Sequence, residues 1–458
     1  MSTRIVVIGA DATGMSAAHQ ALRSARSHGR EVEVTVLEAT EHTSYSACGL
    51  PYWISGEVPS GDDLVARSPE QHRAMGVDLR TGARVLRVDA ERREVRYRHG
   101  GAEQVLGYDE LVIATGAHPI VPAWAQVEGV AKPGLGVVKN LDDGALWLDR
   151  LTASSGRHVV IAGGGYVGIE MAEAALARGH RVTLAARSRL LSMLEPGMSA
   201  LLADTLKAAG VEVLLDTAVD GVDHDDQGRL RAVLAGARRI EADYLILALG
   251  VVPATEFLAG SGVPLTERGA LRPDPSGRVA PGVWAGGDCC EVRHRVLDDW
   301  RYLPLGTHAN KMGRAIGENL GGGELVFPGA LGSAITRFSA PGGYLEVAAT
   351  GLNLQQARAA GFDAVEVVTE GTTASGYHPD AAPIRISLVG DRATGRLLGG
   401  QVLGGRGAAK RIDVVAMALW SNLTAHDLAW ADLAYAPPFA TAWEIISLAS
   451  RRLAERLG

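Results

Sequence analysis

The sequence predicts an α/β protein with two Rossmann-like dinucleotide-binding domains and a C-terminal α+β domain. Three observations predict it. A strand, a Gly-rich turn and a helix of small residues recur twice, at residues 4–25 and 157–179. Each copy is followed by a further apolar strand, as a βαβ unit requires. Beyond about Phe327 the Gly-rich turns stop and a mixed α/β pattern takes over. A chain of 458 residues is also too long for one core.

The first copy reads RIVVIGADATGMSAAHQALRSA, then EVEVTVLE. Gly9 and Gly14 stand at the outer positions of G-x-G-x-x-G, and Asp11 occupies the middle one, with Ala12 next to it. Such a turn lets backbone approach a diphosphate at a helix N-terminus. The second strand ends in Glu38, placed to bind the ribose hydroxyls of an adenosine.

The second copy, RHVVIAGGGYVGIEMAEAALARG, fits the motif fully with Gly163, Gly165 and Gly168. Its following strand ends VTLAARSR, without an acid. Ala185 and Ala186 stand there, with Arg187 and Arg189 beyond. A carboxylate would repel a 2′-phosphate and arginines would pair with it, so this site is expected to prefer NADPH to NADH.

Two further segments, YDELVIATGAHP and DYLILALGVVP, are apolar runs ending in Thr115-Gly116 and Leu249-Gly250 and then proline. They are expected to be the crossovers between nucleotide domains. VWAGGDCCEV ends a strand on Gly286, Gly287 and Asp288. The expected domains are therefore 1–119 and 251–325 for one nucleotide, 120–250 for the other, and 326–458 for the C-terminal unit.

Composition narrows the partners. Apolar residues make up 47% and charged residues 21%, ordinary globular values. With a net charge of −7 and no basic tract, no nucleic acid partner is expected. Three cysteines make no disulfide framework, which fits a reducing compartment. No signal-peptide layout and no membrane-spanning apolar run are visible, so a cytoplasmic protein is expected. No metal is expected.

The order of dinucleotide turn, cysteine, ATG, second dinucleotide turn and GGD resembles that of the flavoprotein disulfide reductases, over essentially the whole chain. The resemblance implies FAD in the first turn, a nicotinamide nucleotide in the second, and Asp288 on the flavin ribityl chain. It implies that Tyr166 gates the nicotinamide pocket, with Glu170 beside it. The segment TSYSACGLPY carries one cysteine, Cys48, and no C-x4-C partner. That is similar to the single-cysteine branch, which contains coenzyme A-disulfide reductases, NADH oxidases and peroxidases, and persulfide reductases. Cys48 is then the redox thiol beside the flavin. A helix N-terminus there is expected to lower its pKa.

Within that branch, oxidases and peroxidases carry a histidine in the first turn, and this chain has Ala12. Gln20 and Arg23 match residues that contact the phosphates of coenzyme A in the coenzyme A-disulfide reductases, and Ser44 is grouped with them as substrate-binding. Ala47 departs from the asparagine often found before the cysteine. The C-terminal part looks like the family's dimerisation domain. Tyr435, in AYAPPF, matches the tyrosine that protonates the departing thiolate in the partner's site. Tyr377, in SGYHP, matches the second, with His378 in place of the other ring. Cys289 and Cys290 are expected as packed thiols, with a vicinal disulfide as the alternative. The expected activity is NAD(P)H-dependent reduction of a small disulfide or persulfide by a homodimer. The alternatives are an oxidase or peroxidase acting on oxygen or peroxide, and a non-thiol electron-transfer flavoprotein.

Overall fold

The computed structural model describes residues 2–127 and 130–458. Both βαβ units form where the pattern places them. The strand Thr3–Ile8 is buried on both faces at Ile5 to Ile8 and pairs in parallel with Val32–Leu37 and Glu110–Ile113. Continuous apolar runs of this kind suit a parallel sheet covered by helices. The full sheet runs Arg278–Ala280, Val283–Ala285, Glu110–Ile113, Thr3–Ile8, Val32–Leu37, Asp78–Arg80. It thus draws strands from two distant stretches of chain. The second sheet is parallel throughout, in the order Leu135–Gly136, Tyr244–Leu247, His158–Ala162, Arg181–Ala185, Glu212–Leu214.

The two units repeat each other in detail. Gly9 has φ +101° and a Cβ there would lie 2.3 Å from the Ala114 carbonyl oxygen. Gly163 has φ +124° and a Cβ would lie 2.1 Å from that of Ala248. No side chain fits either place, so each first glycine is required by backbone contact with the adjacent crossover strand. The crossovers meet as expected: Ala117–Pro119 pairs antiparallel with Val251–Pro253.

Helix α1 (Ala12–Ser27) buries Ala17, Ala18, Ala21 and Ala25. Helices α2 (Leu50–Ser55), α3 (Leu141–Thr152) and α4 (Tyr166–Ala177) follow along the chain. Helix α5 (Gly306–Leu320) lies against α1 through Gly313 and Gly317, where a Cβ would meet the carbonyl oxygens of Thr13 and Ala17 at 2.3 and 2.4 Å. Small residues on both helices bring the two backbones into contact, and this fixes the α5 N-terminus near the Gly9 turn.

The C-terminal domain is an antiparallel sheet in the order Ala334–Ala340, Gly343–Gly351, Leu397–Gly404, Pro383–Asp391, Ala364–Thr372. Helix α6 (Ile445–Leu457) buries Ile445, Ile446, Ala449 and Leu453 with that sheet's apolar face. The domain leaves Tyr377, Trp430, Tyr435, Phe439 and Trp443 exposed. Among the described residues, no helix is long and apolar enough to cross a membrane.

Candidate active site

The first turn builds one nucleotide site. Gly9 ends the Thr3–Ile8 strand, Asp11 is the N-cap of α1, and Ala12 is its first residue. Glu38 accepts hydrogen bonds from the Ala10 amide at 2.9 Å and from the Thr40 amide and hydroxyl at 2.8 Å each. Its carboxylate is thereby fixed beside the turn, where an adenosine ribose would lie. Thr115 donates to the Ala254 carbonyl at 2.7 Å, and Gly116 has φ +67°. Asp288 acts electrostatically on Asp11, Cys48, Tyr302 and His308, so it sits among the turn, the thiol and α5. The Tyr302 Oη and His308 Nδ1 atoms are buried without a protein partner. Orphaned polar atoms around Asp288 are what a site built for a polar cofactor leaves open. The residues fit a flavin dinucleotide.

The second turn repeats this geometry with Gly165 as N-cap of α4 and open space beside it. Ala185 and Ala186 are buried at the strand end, and Arg187 is exposed. Arg189 differs from expectation. Its Nε donates to the Leu194 carbonyl at 3.0 Å and its Nη2 to that of Ser192 at 2.9 Å. Half-buried and spent on its own loop, it holds the 189–194 turn, which leaves Arg187 and Ser188 as the outward-facing residues. Gly250, with φ +94°, closes the opposite strand end.

Cys48 lies in a short 3₁₀ turn, Ala47–Gly49, leading into α2. The thiol is exposed. The expected depression of its pKa is not found. Burial of the group in its recess pushes it up, Glu170 and Asp288 add to that, and Lys139 opposes them. The six-residue α2 is too short a dipole to overcome these carboxylates.

Glu170 is the acid of this recess. Burial raises its pKa to about 7, against the stabilising hydrogen bond that Thr336 donates to it at 3.0 Å. Thr336 comes from the C-terminal domain, so that domain completes the pocket. Tyr166 donates to Met193 Sδ at 2.5 Å, and burial pushes its hydroxyl up. The neighbouring Glu173 accepts from the Ser339 amide at 2.7 Å and pairs with Arg337 at 3.3 Å. Arg337 also pairs with Glu57, just after α2, and its guanidinium carbon lies 5.4 Å from the Tyr52 ring centroid. The α2 end, α4 and the Ala334–Ala340 strand are thus pinned together.

Gln20 and Arg23 are brought together: Arg23 Nη2 donates to Gln20 Oε1 at 2.6 Å, while Gln20 Nε2 donates to Glu318 at 2.5 Å. Ser44 is half-buried. It sits at φ +48°, and its hydroxyl is 3.0 Å from His72 Nε2. The His72 ring continues to His19 at 2.7 Å. Burial lowers the pKa of both histidines, that of His72 to about 4, and Arg67 lowers both further.

The tyrosine loops are joined. The Ser375 amide donates to the Pro437 carbonyl at 2.8 Å, and Arg411 donates to the carbonyls of Thr373 and Phe439 at 2.8 and 2.5 Å. Tyr377 is 79% and Tyr435 50% exposed, so neither is packed into its own chain. Cys289 and Cys290 are fully buried free thiols, 3.7 Å apart. Among the described residues no group of three or more His, Cys, Asp or Glu side chains could hold a metal. Sequence reasoning missed Lys139, His19, His72, Thr336 and Arg411. His19 lies in the first turn's helix beside Gln20; the others lie in no local motif and reach the site only through the fold.

The profile described as "Pyridine nucleotide-disulphide oxidoreductase" matches residues 3–313, and that of the family's dimerisation domain matches 343–445. An NAD(P)H coenzyme A polysulfide/persulfide reductase of Pyrococcus horikoshii is 35% identical, over 99% of both chains. An NADH oxidase of Methanocaldococcus jannaschii is 28% identical, over 99% of both. The solved NAD-dependent persulfide reductase from A. fulgidus superposes with a TM-score of 0.91 at 32% identity, covering 99% of this chain and 83% of that one. An engineered water-forming NADPH oxidase, bound to NADPH, superposes with a TM-score of 0.91 at 25% identity, covering 99% of each chain. Its substitutions include three in succession: aspartate to alanine, alanine to arginine and methionine to serine.

Proposed function

Because the chain belongs to the pyridine nucleotide-disulphide oxidoreductase family, and is an NAD(P)H-dependent flavoprotein, we propose that it reduces coenzyme A persulfide or a related polysulfide through Cys48. The balanced reaction is R–S–SH + NAD(P)H + H⁺ → R–SH + H₂S + NAD(P)⁺. The observation that carries the reading is the single exposed thiol. Cys48 opens to solvent, and the other two cysteines are buried beside Asp288. A lone thiol needs a second sulfur from the substrate, and a persulfide or disulfide brings one.

Residues 1–119 and 251–325 form the flavin domain in this reading, 120–250 the nicotinamide nucleotide domain and 326–458 the dimerisation domain. The Gly9 turn, Ala12, Gly14, Glu38, Thr115, Gly116 and Asp288 hold FAD. FAD, when bound, supplies a hydride acceptor and a two-electron donor. Gly163, Gly165, Gly168, Tyr166 and Gly250 line the nicotinamide nucleotide site. Glu170, protonated for about half of the molecules near pH 7, holds a proton beside the nicotinamide position and the thiol.

The Cys48 thiolate attacks the outer sulfur of the persulfide, a Cys48 persulfide forms as the substrate's S–S bond breaks, and the leaving thiolate takes a proton; two electrons from NAD(P)H then return Cys48 to the thiolate with release of H₂S. Tyr435 of a second copy supplies that proton, and Tyr377 of that copy lines the same mouth. The exposure of both in a single chain, and the dimerisation domain that carries them, support this arrangement. Arg23, exposed on α1, meets the substrate's phosphates with Gln20 orienting it. Arg187 and Ser188 read the 2′-phosphate of NADPH. The engineered NADPH oxidase gained alanine, arginine and serine in succession, the same types in the same order as Ala186, Arg187 and Ser188 here.

Cys48→Ser is the test. The variant is expected to bleach its flavin with NADPH anaerobically and to fail to turn over coenzyme A persulfide, coenzyme A disulfide or polysulfide. Full turnover by the variant would remove the thiol reading.

A further inference from the structure

Asp11 stands where the dinucleotide turn ordinarily has its middle glycine, the residue that lets backbone meet the diphosphate. A carboxylate there would face an anionic ligand in a site whose other nearby charges are already negative. The side chain is the N-cap of α1 and bonds no N2 or N3 amide, so it is not spent on capping the helix. Glu38, at the end of Val32–Leu37, and Asp288, after Val283–Ala285, oppose its ionisation, while Lys139, before α3, and the Ala12 amide favour it. Tyr45 and Cys48, from the loop before α2, feel its charge. Glu38 cannot turn away, because Ala10 and Thr40 hold both its oxygens.

An ionised carboxylate only accepts hydrogen bonds, whereas a carboxylic acid can donate one to a phosphate oxygen. We propose that Asp11 is a proton-bearing ligand of the FAD diphosphate, so that FAD binding takes up a proton and weakens as pH rises. Burial and Glu38 already bring this carboxyl up to about 6. An anion bound beside it raises it further, by the same like-charge rule. The inference concerns only the flavin grip and is independent of which sulfur compound is reduced.

The sign follows from linkage. The form that binds FAD is protonated, so affinity is full below the pKa of the free site and falls above it, tenfold per pH unit at the limit. With a free-site value of about 6, the apparent Kd rises on the order of fifty-fold between pH 6 and pH 8.

The experiment uses the full-length flavoprotein, diluted until flavin dissociates, with released FAD read by its fluorescence from pH 6 to pH 8. The wild type should show the rise in Kd. Asp11→Asn, which keeps a donor and cannot ionise, should hold FAD with a flat profile. Asp11→Gly, which restores the ordinary turn residue, should be flat as well and serves if the asparagine variant does not fold. A flat wild-type profile overturns the proposal. So does a slope that persists in either variant, because another group would then carry the proton. A protein that never held FAD would give no fluorescence change at any pH, a result distinct from a flat Kd.

Discussion

Arg187→Ala should convert the enzyme's coenzyme preference while leaving the rest of the site intact. Arg187 is exposed, and among the described residues it makes no hydrogen bond or ion pair within the chain, so its removal disturbs no contact in the free protein. In the proposed NADPH site, what it loses is a charge-assisted pair with the 2′-phosphate, worth roughly 1.5–3 kcal/mol. That corresponds to a fall of about ten- to a hundredfold in kcat/KM for NADPH, with kcat/KM for NADH within about twofold of wild type. Arg189→Ala is the control. Its guanidinium closes the 189–194 turn on two carbonyls, so its loss should loosen that turn and lower kcat/KM for both coenzymes alike. Anaerobic stopped-flow bleaching of the flavin isolates this half-reaction from thiol chemistry. If Arg187→Ala weakens NADH and NADPH equally, or if Arg189→Ala alone changes their ratio, the assignment of the phosphate contact is wrong.

Two further outcomes are expected. Tyr435→Phe should slow persulfide turnover about a hundred- to ten-thousandfold, as loss of a general acid does, and leave flavin reduction by NADPH unchanged; an unaffected turnover would exclude a proton from that hydroxyl. The pH dependence of flavin reduction should show an ionisation near 7 that is absent in Glu170→Gln. In Thr336→Val it should move upward, because the Thr336 hydroxyl stabilises the carboxylate form; an inflection left in place by Glu170→Gln would assign it elsewhere.

Much of this architecture is written locally. Both first glycines are demanded by a carbonyl oxygen about 2 Å from the missing Cβ, so the turn motif reports backbone sterics directly. The crossovers were legible because each ends in a glycine at positive φ followed closely by proline. What the sequence could not convey is how side chains are spent. Arg187 and Arg189 are two residues apart and chemically identical, yet one faces solvent and the other closes a turn. Ser44 was expected as a substrate contact, and nothing in the sequence signals that its hydroxyl also bonds His72, from a separate helix. The Cys48 thiol was expected to be acidified by its helix; burial of the group reverses the sign, and Glu170 and Asp288, more than a hundred residues away, add to it.

The two nucleotide sites share one scaffold, and their chemistry separates at two points in each βαβ unit. At the strand end, Glu38 in the first faces Ala186 and Arg187 in the second. At the middle of the turn, Asp11 in the first faces Gly165 in the second. The second unit therefore keeps an uncharged turn and gains a cation, which suits a phosphorylated coenzyme that must enter and leave in every cycle. The first has acids at both points, and neither is free to attract an anion. As proposed, such a site holds a diphosphate through helix amides and a proton on Asp11. Exchange of the turn residues is consequently asymmetric. Gly165→Asp should weaken NADPH binding, because it sets a carboxylate against the diphosphate with no Glu38 counterpart beside it to keep it protonated. An ordinary aspartate is ionised throughout this range, so the KM for NADPH should rise by a similar factor at pH 6 and at pH 8, unlike the pH-dependent flavin grip proposed for Asp11. A KM that is unchanged at both pH values would mean that the turn's middle residue does not meet the diphosphate in this fold.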